Sequence, residues 1–280
     1  MAQDKMQQQR FELKYIIKEE VAGAVRDFVS SYLEMDEYGA TQPNFSYPVH
    51  SLYLDSDLLT LYQSTINGDK NRYKLRLRFY DTRQEAPVYF EVKRRMNNTI
   101  AKRRGGVRRE AVDWLIAGHL PEPGLLVSKD PRQLFALQHF CQLMHDIHAR
   151  PKAHIAYYRE AWISRNDNSV RVTMDREVKC EPDPSTRLTT RMDNPVFVFG
   201  ADVVLELKFT NRFPDWFKDL VRIFGLMQCG AAKYVDGVTR FGQDRINRAF
   251  VLTDPDRPFN ELERGSDSPD PIGDIRKSGP

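Results

Sequence analysis

Charged residues recur at every second position in several short stretches of this chain, and their types set the chemistry open to it. Tyr73-Lys74-Leu75-Arg76-Leu77-Arg78-Phe79-Tyr80 puts three cations on one face of an extended segment and apolar side chains on the other. The same alternation returns in Arg10/Glu12/Lys14, Glu91/Lys93, Arg159, Arg171/Asp175 and Glu206/Lys208, and nine of these thirteen side chains are cationic. One such strand alone would be a solvated outer face. Repeated across neighbouring strands, like charges destabilise a sheet unless an anion joins them. Arginine offers a rigid fork of donors that stays charged, and lysine a compact point charge, so the chemistry indicated is the holding of a polyanion.

Strands are expected at residues 10–16, 50–55, 73–80, 88–93, 153–162, 169–176 and 203–209, with a hairpin joining the third and fourth. Helical spacing of apolar residues marks 19–33, 58–66 and 110–148, and a further helix begins at Pro214 and runs through Trp216, Phe217, Leu220 and Ile223. The run from Lys102 to Arg109 holds more basic residues than any other window and reads as a solvated loop, with a loop over nucleic acid as the sharper alternative. His145 and His148 stand three apart without a third ligand in a known motif, which argues against a metal there. Two architectures accommodate these elements. In an open antiparallel sheet the charged faces meet water. In a closed α+β antiparallel barrel of about eight strands, helices coat the apolar outside and the charged faces line a tunnel. The cationic excess favours the closed barrel.

The chain has 280 residues, 41% of them hydrophobic, enough for a substantial core. A folded unit is expected over residues 1–250. Residues 251–280 carry seven acidic and four basic residues among prolines and glycines, and are expected to form a disordered tail. The net charge of +3 therefore conceals an excess of six on the body, which points to an anionic partner. No apolar run is long enough to span a bilayer and the N-terminus has no signal-peptide core, so a cytoplasmic location is expected. Cys141, Cys180 and Cys229 lack disulfide or zinc spacing and are expected to be ordinary buried thiols. A P-loop, an aromatic RNA-recognition signature and a helix-turn-helix are all missing from the sequence, so no nucleic-acid partner is expected.

The segments Arg10-Phe11-Glu12-Leu13-Lys14, Lys74-x-Arg76-x-Arg78-x-Tyr80, Glu91-x-Lys93, Lys102-x-Arg104, Arg159 with Arg171-x-x-x-Asp175, Leu205-Glu206-x-Lys208 and Ala232-Lys233-Tyr234 occur in one order. In that order they resemble VTC domains, the polyphosphate polymerase branch of the triphosphate tunnel metalloenzymes and relatives of the CYTH phosphatases and adenylyl cyclases. The resemblance covers about residues 8 to 245. It implies an ATP-dependent phosphotransferase that moves the γ-phosphate of ATP onto a growing inorganic polyphosphate chain. By the same resemblance Arg76, Arg78, Lys93, Arg159, Arg171 and Lys233 would bind the triphosphate or the chain, with Arg10, Lys14, Lys74, Lys102, Arg104 and Lys208 extending the lining. Glu206 would hold a divalent metal, Mn²⁺ or Mg²⁺; its alternative role is a structural counter-ion. Departures from the pattern are Gly230 in place of an additional lysine and Arg-x-Glu-x-Lys, rather than Glu-x-Glu-x-Lys, at residues 10–14. A tunnel phosphohydrolase and a non-catalytic polyphosphate-binding module are the alternative functions.

Overall fold

The computed structural model describes residues 11–97, 99–165, 169–210 and 212–247. Arg10 and the acidic tail at 251–280 lie outside the described residues. The chain runs β1 (Phe11–Ile17), α1 (Glu19–Ser30), β2 (Glu34–Met35), α2 (Glu37–Ala40), β3 (Tyr47–Asp55), α3 (Thr60–Ile66), β4 (Asn71–Phe79), β5 (Val88–Met96) and β6 (Thr99–Val107). There follow α4 (Val112–Ile116), α5 (Pro131–Asp146), β7 (Arg150–Ile163), β8 (Val170–Pro182), β9 (Val196–Phe197), β10 (Val203–Phe209), α6 (Asp215–Ile223) and α7 (Lys233–Phe241).

All ten strands belong to one antiparallel sheet, ordered β1-β10-β8-β7-β3-β4-β5-β6, with β2 pairing to β7 and β9 to β8. This corrects the expected closed barrel tunnel, because among the described residues no ladder joins β1 to β6. Both edges are taken by other backbone. Cys229 donates its N–H to the Lys14 carbonyl at 2.9 Å and Tyr15 bridges to Gln228, while Val127 donates to the Gly106 carbonyl at 3.0 Å and Val107 bridges to Leu126. An edge strand covered in this way has few backbone groups left for closure. The sheet nevertheless curls far enough for Lys93 on β5 to donate to Glu12 on β1 at 3.0 Å.

The period-2 pattern accounts for which face curls inward. Leu75, Leu77, Phe79, Phe90 and Val92 are buried on the convex side with Leu137, Phe140 and Met144 of α5. Leu205, Leu207, Val172 and Met174 are buried there too, against Val25 and Val29 of α1 and Phe217 and Leu220 of α6. Each such side chain stabilises the fold by about 1.5–3 kcal/mol. Gly105 faces α5 so closely that a Cβ would stand 2.7 Å from the Gln133 carbonyl oxygen. The basic run at 102–109, expected as a loop, is instead strand as far as Val107, paired with β5, with Gly105 leaving room for α5 against it.

The concave side is not charged throughout. Val49, Ile155, Val178, Cys180 and Val204 form an apolar patch on which α7 packs through Tyr234, Val235 and Val238. A Cβ on Gly237 would meet the Cys180 Sγ at 2.9 Å, so only glycine lets the helix lie this near the sheet. Opposite Tyr157, β8 takes an additional residue where Glu177 adopts φ 48°, and this bulge puts Val178 and Cys180 on the same side as Thr173 and Asp175. The helix expected over 110–148 is two helices, since Gly118 turns the chain at φ 97° and Pro121 and Pro123 follow. Cys141 and Cys180 are buried as expected, whereas Cys229 is exposed. No helix among the described residues is long and apolar enough to cross a membrane.

Candidate functional site

The concave face encloses a cavity of about 1780 Å³. Every site residue expected from the sequence lines it except Arg10, which lies outside the described residues. Lys74, Arg76 and Arg78 come from β4, Lys93 from β5, Lys102 and Arg104 from β6, Arg159 from β7, Arg171 from β8, Glu206 and Lys208 from β10, Lys14 from β1 and Lys233 from the first turn of α7. Antiparallel register makes the convergence possible: Arg76 stands opposite Glu91, Lys93 opposite Lys102, Lys208 opposite Arg171 and Lys14 opposite Glu206.

Carboxylates organise these cations in clusters. Glu91, fully buried, accepts from Arg76 Nε and Nη2 at 2.8 and 2.7 Å, and its second oxygen is 2.6 Å from Lys102 Nζ. Burial alone would raise the Glu91 carboxyl, but Lys102, Arg76 and Arg78 outweigh it and hold the group well below the ordinary carboxylate range. Asp175 accepts two parallel bonds from Arg159, both 2.7 Å, and Lys233 Nζ lies 2.7 Å from the same carboxylate. Glu206 is surrounded by Lys208 at 2.5 Å, Lys233 at 3.0 Å and Lys14 at 3.4 Å, with the Thr173 hydroxyl donating at 3.3 Å. Burial would raise its carboxyl too, and the three lysines with Arg159 depress it strongly instead. Glu12 lies between Lys93 at 3.0 Å and Lys14 at 3.2 Å.

Arginine and lysine behave differently here. Arg78 is held by Ser51 Oγ at 3.2 Å and by Tyr157 Oη at 2.9 Å, and Arg76 also donates to Tyr53 Oη at 3.1 Å, so both forks are oriented before any ligand arrives. Among the described residues no carboxylate oxygen lies within 4 Å of Lys74 Nζ. Burial, with Lys14 and Lys93 nearby, pushes its ammonium down to about 7. Burial likewise takes Lys102 down to about 7 despite Glu91, and Lys208 to about 8 despite Glu206.

Several participants escaped sequence reasoning. Ser51, Tyr53 and Tyr157 fix the arginines; Tyr157 stands two residues before Arg159, the spacing that shares a strand face, and that was the one signal available. Asp36 and Tyr47 carried none: Arg171 reaches Asp36 at 2.8 Å across 135 residues of sequence, and Tyr47 donates to that carboxylate at 3.1 Å. No group of three metal-ligating side chains occurs among the described residues, so no preformed metal cage exists there. Both Glu206 oxygens already face lysine ammoniums, Lys208 on one and Lys233 and Lys14 on the other, which is the counter-ion role; a magnesium-type cation, which keeps waters and takes one or two carboxylates together with substrate phosphates, would have to displace them.

A profile of the family described as VTC domain matches residues 9–241 of this chain. Among solved structures, a candidate adenylate cyclase from Bacillus halodurans aligns with 83% of this chain and 96% of its own at 12% identity, with a TM-score of 0.46. A protein of Pyrococcus horikoshii aligns over 83% and 99% at 12% identity, with a TM-score of 0.43. No curated protein matches the sequence.

Proposed function

The chain belongs to the VTC domain family, and we propose that it transfers the γ-phosphate of ATP onto a growing inorganic polyphosphate chain within the cationic cavity. The observation that carries this reading is the charge imbalance of that cavity. Sixteen lysine and arginine side chains line it against seven carboxylates, and the buried Glu91 and Asp175 that pair with Arg76 and Arg159 bring the carboxylates to nine. A bound polyanion would supply the missing negative charge.

Phosphoryl transfer needs alignment of donor and acceptor and neutralisation of charge on the non-bridging oxygens, with little covalent work by the protein. Arg159 uses Nε and Nη2 on Asp175, which leaves Nη1 to meet phosphate; Arg78 is fixed on the same side through Ser51 and Tyr157. Together they would orient the γ-phosphoryl group. Lys14, Lys208 and Lys233 would take phosphate oxygens while Glu206 would hold a divalent cation arriving with the triphosphate, which would draw charge from the β- and γ-oxygens. A terminal oxygen of the acceptor chain forms the new P–O bond, the bond from the γ-phosphorus to its bridging oxygen breaks, and that oxygen leaves with ADP.

Hydrolysis would need a base, and Glu12, Glu91, Asp175 and Glu206 are all held by cations and depressed in pKa, which makes each a weak base toward water; Asp236, which also lines the cavity and is raised by burial, is the carboxylate a phosphohydrolase reading would use. The deciding assay is purified protein with ATP and Mn²⁺, beside Arg76→Ala and Glu206→Ala. A product degraded by exopolyphosphatase, reduced in both variants, is expected. Orthophosphate as the sole product would replace this reading with a phosphohydrolase, and polyphosphate binding without turnover would replace it with a binding module.

A further inference from the structure

One end of the cavity is rimmed by tyrosines. Tyr38 on α2, Tyr47 at the start of β3, Tyr80 just after β4 and Tyr89 on β5 all line it; Tyr47 is accounted for by its bond to Asp36 and its packing on the core, while Tyr38 and Tyr80 stand open to solvent. Tyr38 is 62% exposed and Tyr80 37%, so both rings have surface open toward the cavity they line. Their rings run in series, each tilted or edge-on against the next rather than face to face. Centroids are 5.7 Å apart for Tyr38 and Tyr47, 6.5 Å for Tyr47 and Tyr80 and 6.4 Å for Tyr80 and Tyr89, and the planes are inclined by 55°, 52° and 73°. Elsewhere the same protein does close ring faces, as in Tyr53 on Tyr234 at 4.8 Å and 12°. The absence of a Cβ on Gly106 lets the Tyr89 ring lie against it, since a Cβ there would come within 3.1 Å, and the Arg104 guanidinium lies over the same ring at 4.8 Å from its centre.

The rim is tied to the phosphate-binding cations by one carboxylate. Asp36 Oδ1 caps α2 by accepting from Gly39 N at 3.0 Å, and its Oδ2 accepts from Arg171 at 2.8 Å and from Tyr47 at 3.1 Å. The helix that carries Tyr38 is thus anchored on the residue that engages Arg171. A ligand with anionic phosphates at one end and a flat aromatic group at the other would meet both features at once.

We propose that Tyr38, Tyr80 and Tyr89 form a stacking platform for the nucleobase of a nucleoside triphosphate whose phosphates lie toward Arg78, Arg159 and Arg171. This rests on the phosphotransfer reading and deepens it by naming the end at which the donor nucleotide sits. Every base has a π-face, so the platform favours nucleotides over inorganic triphosphate while discriminating little among bases.

Calorimetric titration with ATP and with inorganic tripolyphosphate, on the wild type and on Tyr38→Ala, Tyr80→Ala and Tyr80→Phe, tests it. Stacking of about 1–3 kcal/mol per base predicts that ATP binding weakens about 5-fold to 150-fold in the alanine variants, while tripolyphosphate binding changes less than about twofold. Tyr80→Phe, which keeps the ring, should retain the affinity for ATP. Equal weakening of both ligands, or no weakening of ATP, overturns the platform while leaving the anion site standing. A wild type that binds neither ligand overturns both the platform and the function it rests on.

Discussion

Glu91 is the residue whose removal most directly tests how the cavity holds its charge. It is fully buried and is the only carboxylate within 4 Å of Arg76, Arg78 and Lys102 among the described residues. Glu91→Gln keeps the shape and deletes the charge, so three cations share a corner with no counter-ion. Breaking a buried pair in this way costs about 3–5 kcal/mol. In a domain of this size each kcal/mol moves the melting temperature by about 2–4 °C, so a fall of about 6–20 °C is expected. Lys102 offers partial relief, because its ammonium, already brought down to about 7, can lose its proton. The loss should therefore be larger at pH 6 than at pH 8.5.

Tripolyphosphate then becomes a substitute counter-ion. At a hundred times its dissociation constant a ligand stabilises the native state by about 2.7 kcal/mol. The variant should gain more than the wild type from the same concentration, since the phosphate oxygens relieve repulsion that Glu91 otherwise relieves. Thermal unfolding followed by circular dichroism, with and without tripolyphosphate, reads both effects. A ligand-free variant that melts within about 2 °C of the wild type, or one that gains no more from the ligand, would refute the reasoning.

Three further outcomes are expected. Lys74, Lys102 and Lys208 titrate at about 7, 7 and 8 in the folded protein, below their unfolded values, so the unfolded state binds more protons above pH 7. Stability of the ligand-free protein should rise with pH through that window while tripolyphosphate affinity falls, and calorimetry in buffers of different ionisation enthalpy should show proton uptake on binding. At the β4–β5 hairpin the cavity reaches Arg72 and Arg95, which with Lys70 line an adjoining hollow and have no carboxylate oxygen within 4 Å among the described residues. Affinity should therefore grow with polyphosphate length, and Arg72→Ala with Arg95→Ala should flatten that growth in a binding titration while sparing tripolyphosphate. Gly237→Ala, which drives a methyl group against Cys180, should cost about 1–3 kcal/mol in urea unfolding and weaken tripolyphosphate binding by displacing Lys233.

The strands were legible because charge and apolar character alternate at the period of the sheet, and the face assignment of Arg76, Arg78, Arg159 and Glu206 followed from that alone. Closure was not legible. It is decided at the two edges, where residues 125–127 and 228–229 add backbone bonds to β6 and β1, and neither segment shows a strand period. The Lys102–Arg109 run misled for a related reason: its composition describes solvation, whereas its conformation is set by Gly105 against α5 and by pairing with β5. Nor could local pattern show that α7 would pack inside the curl, because the bulge at Glu177 turns apolar residues of β8 inward. The tie between Asp36 and Arg171 joins chain positions that no periodicity relates.

The division of labour between the two cation types follows from the same geometry. Arg76 and Arg159 are locked to Glu91 and Asp175, and Arg78 to hydroxyls, so these three supply fixed donors whose charge does not vary with pH. Lysine can shed its proton, and Lys74, Lys102 and Lys208 have been brought into the range where they do, whereas the carboxylates beside Lys14 and Lys233 hold those two charged. An empty cavity can thus lower its own positive charge, and an arriving polyanion restores it. The protein tolerates sixteen cations around one space because only part of that charge has to be present when nothing is bound. On this argument, replacing Lys74 by arginine should destabilise the ligand-free protein, since the new charge cannot be discharged, and should make tripolyphosphate affinity less dependent on pH. A Lys74→Arg variant with wild-type stability and an unaltered pH profile of binding would show that lysine deprotonation plays no part.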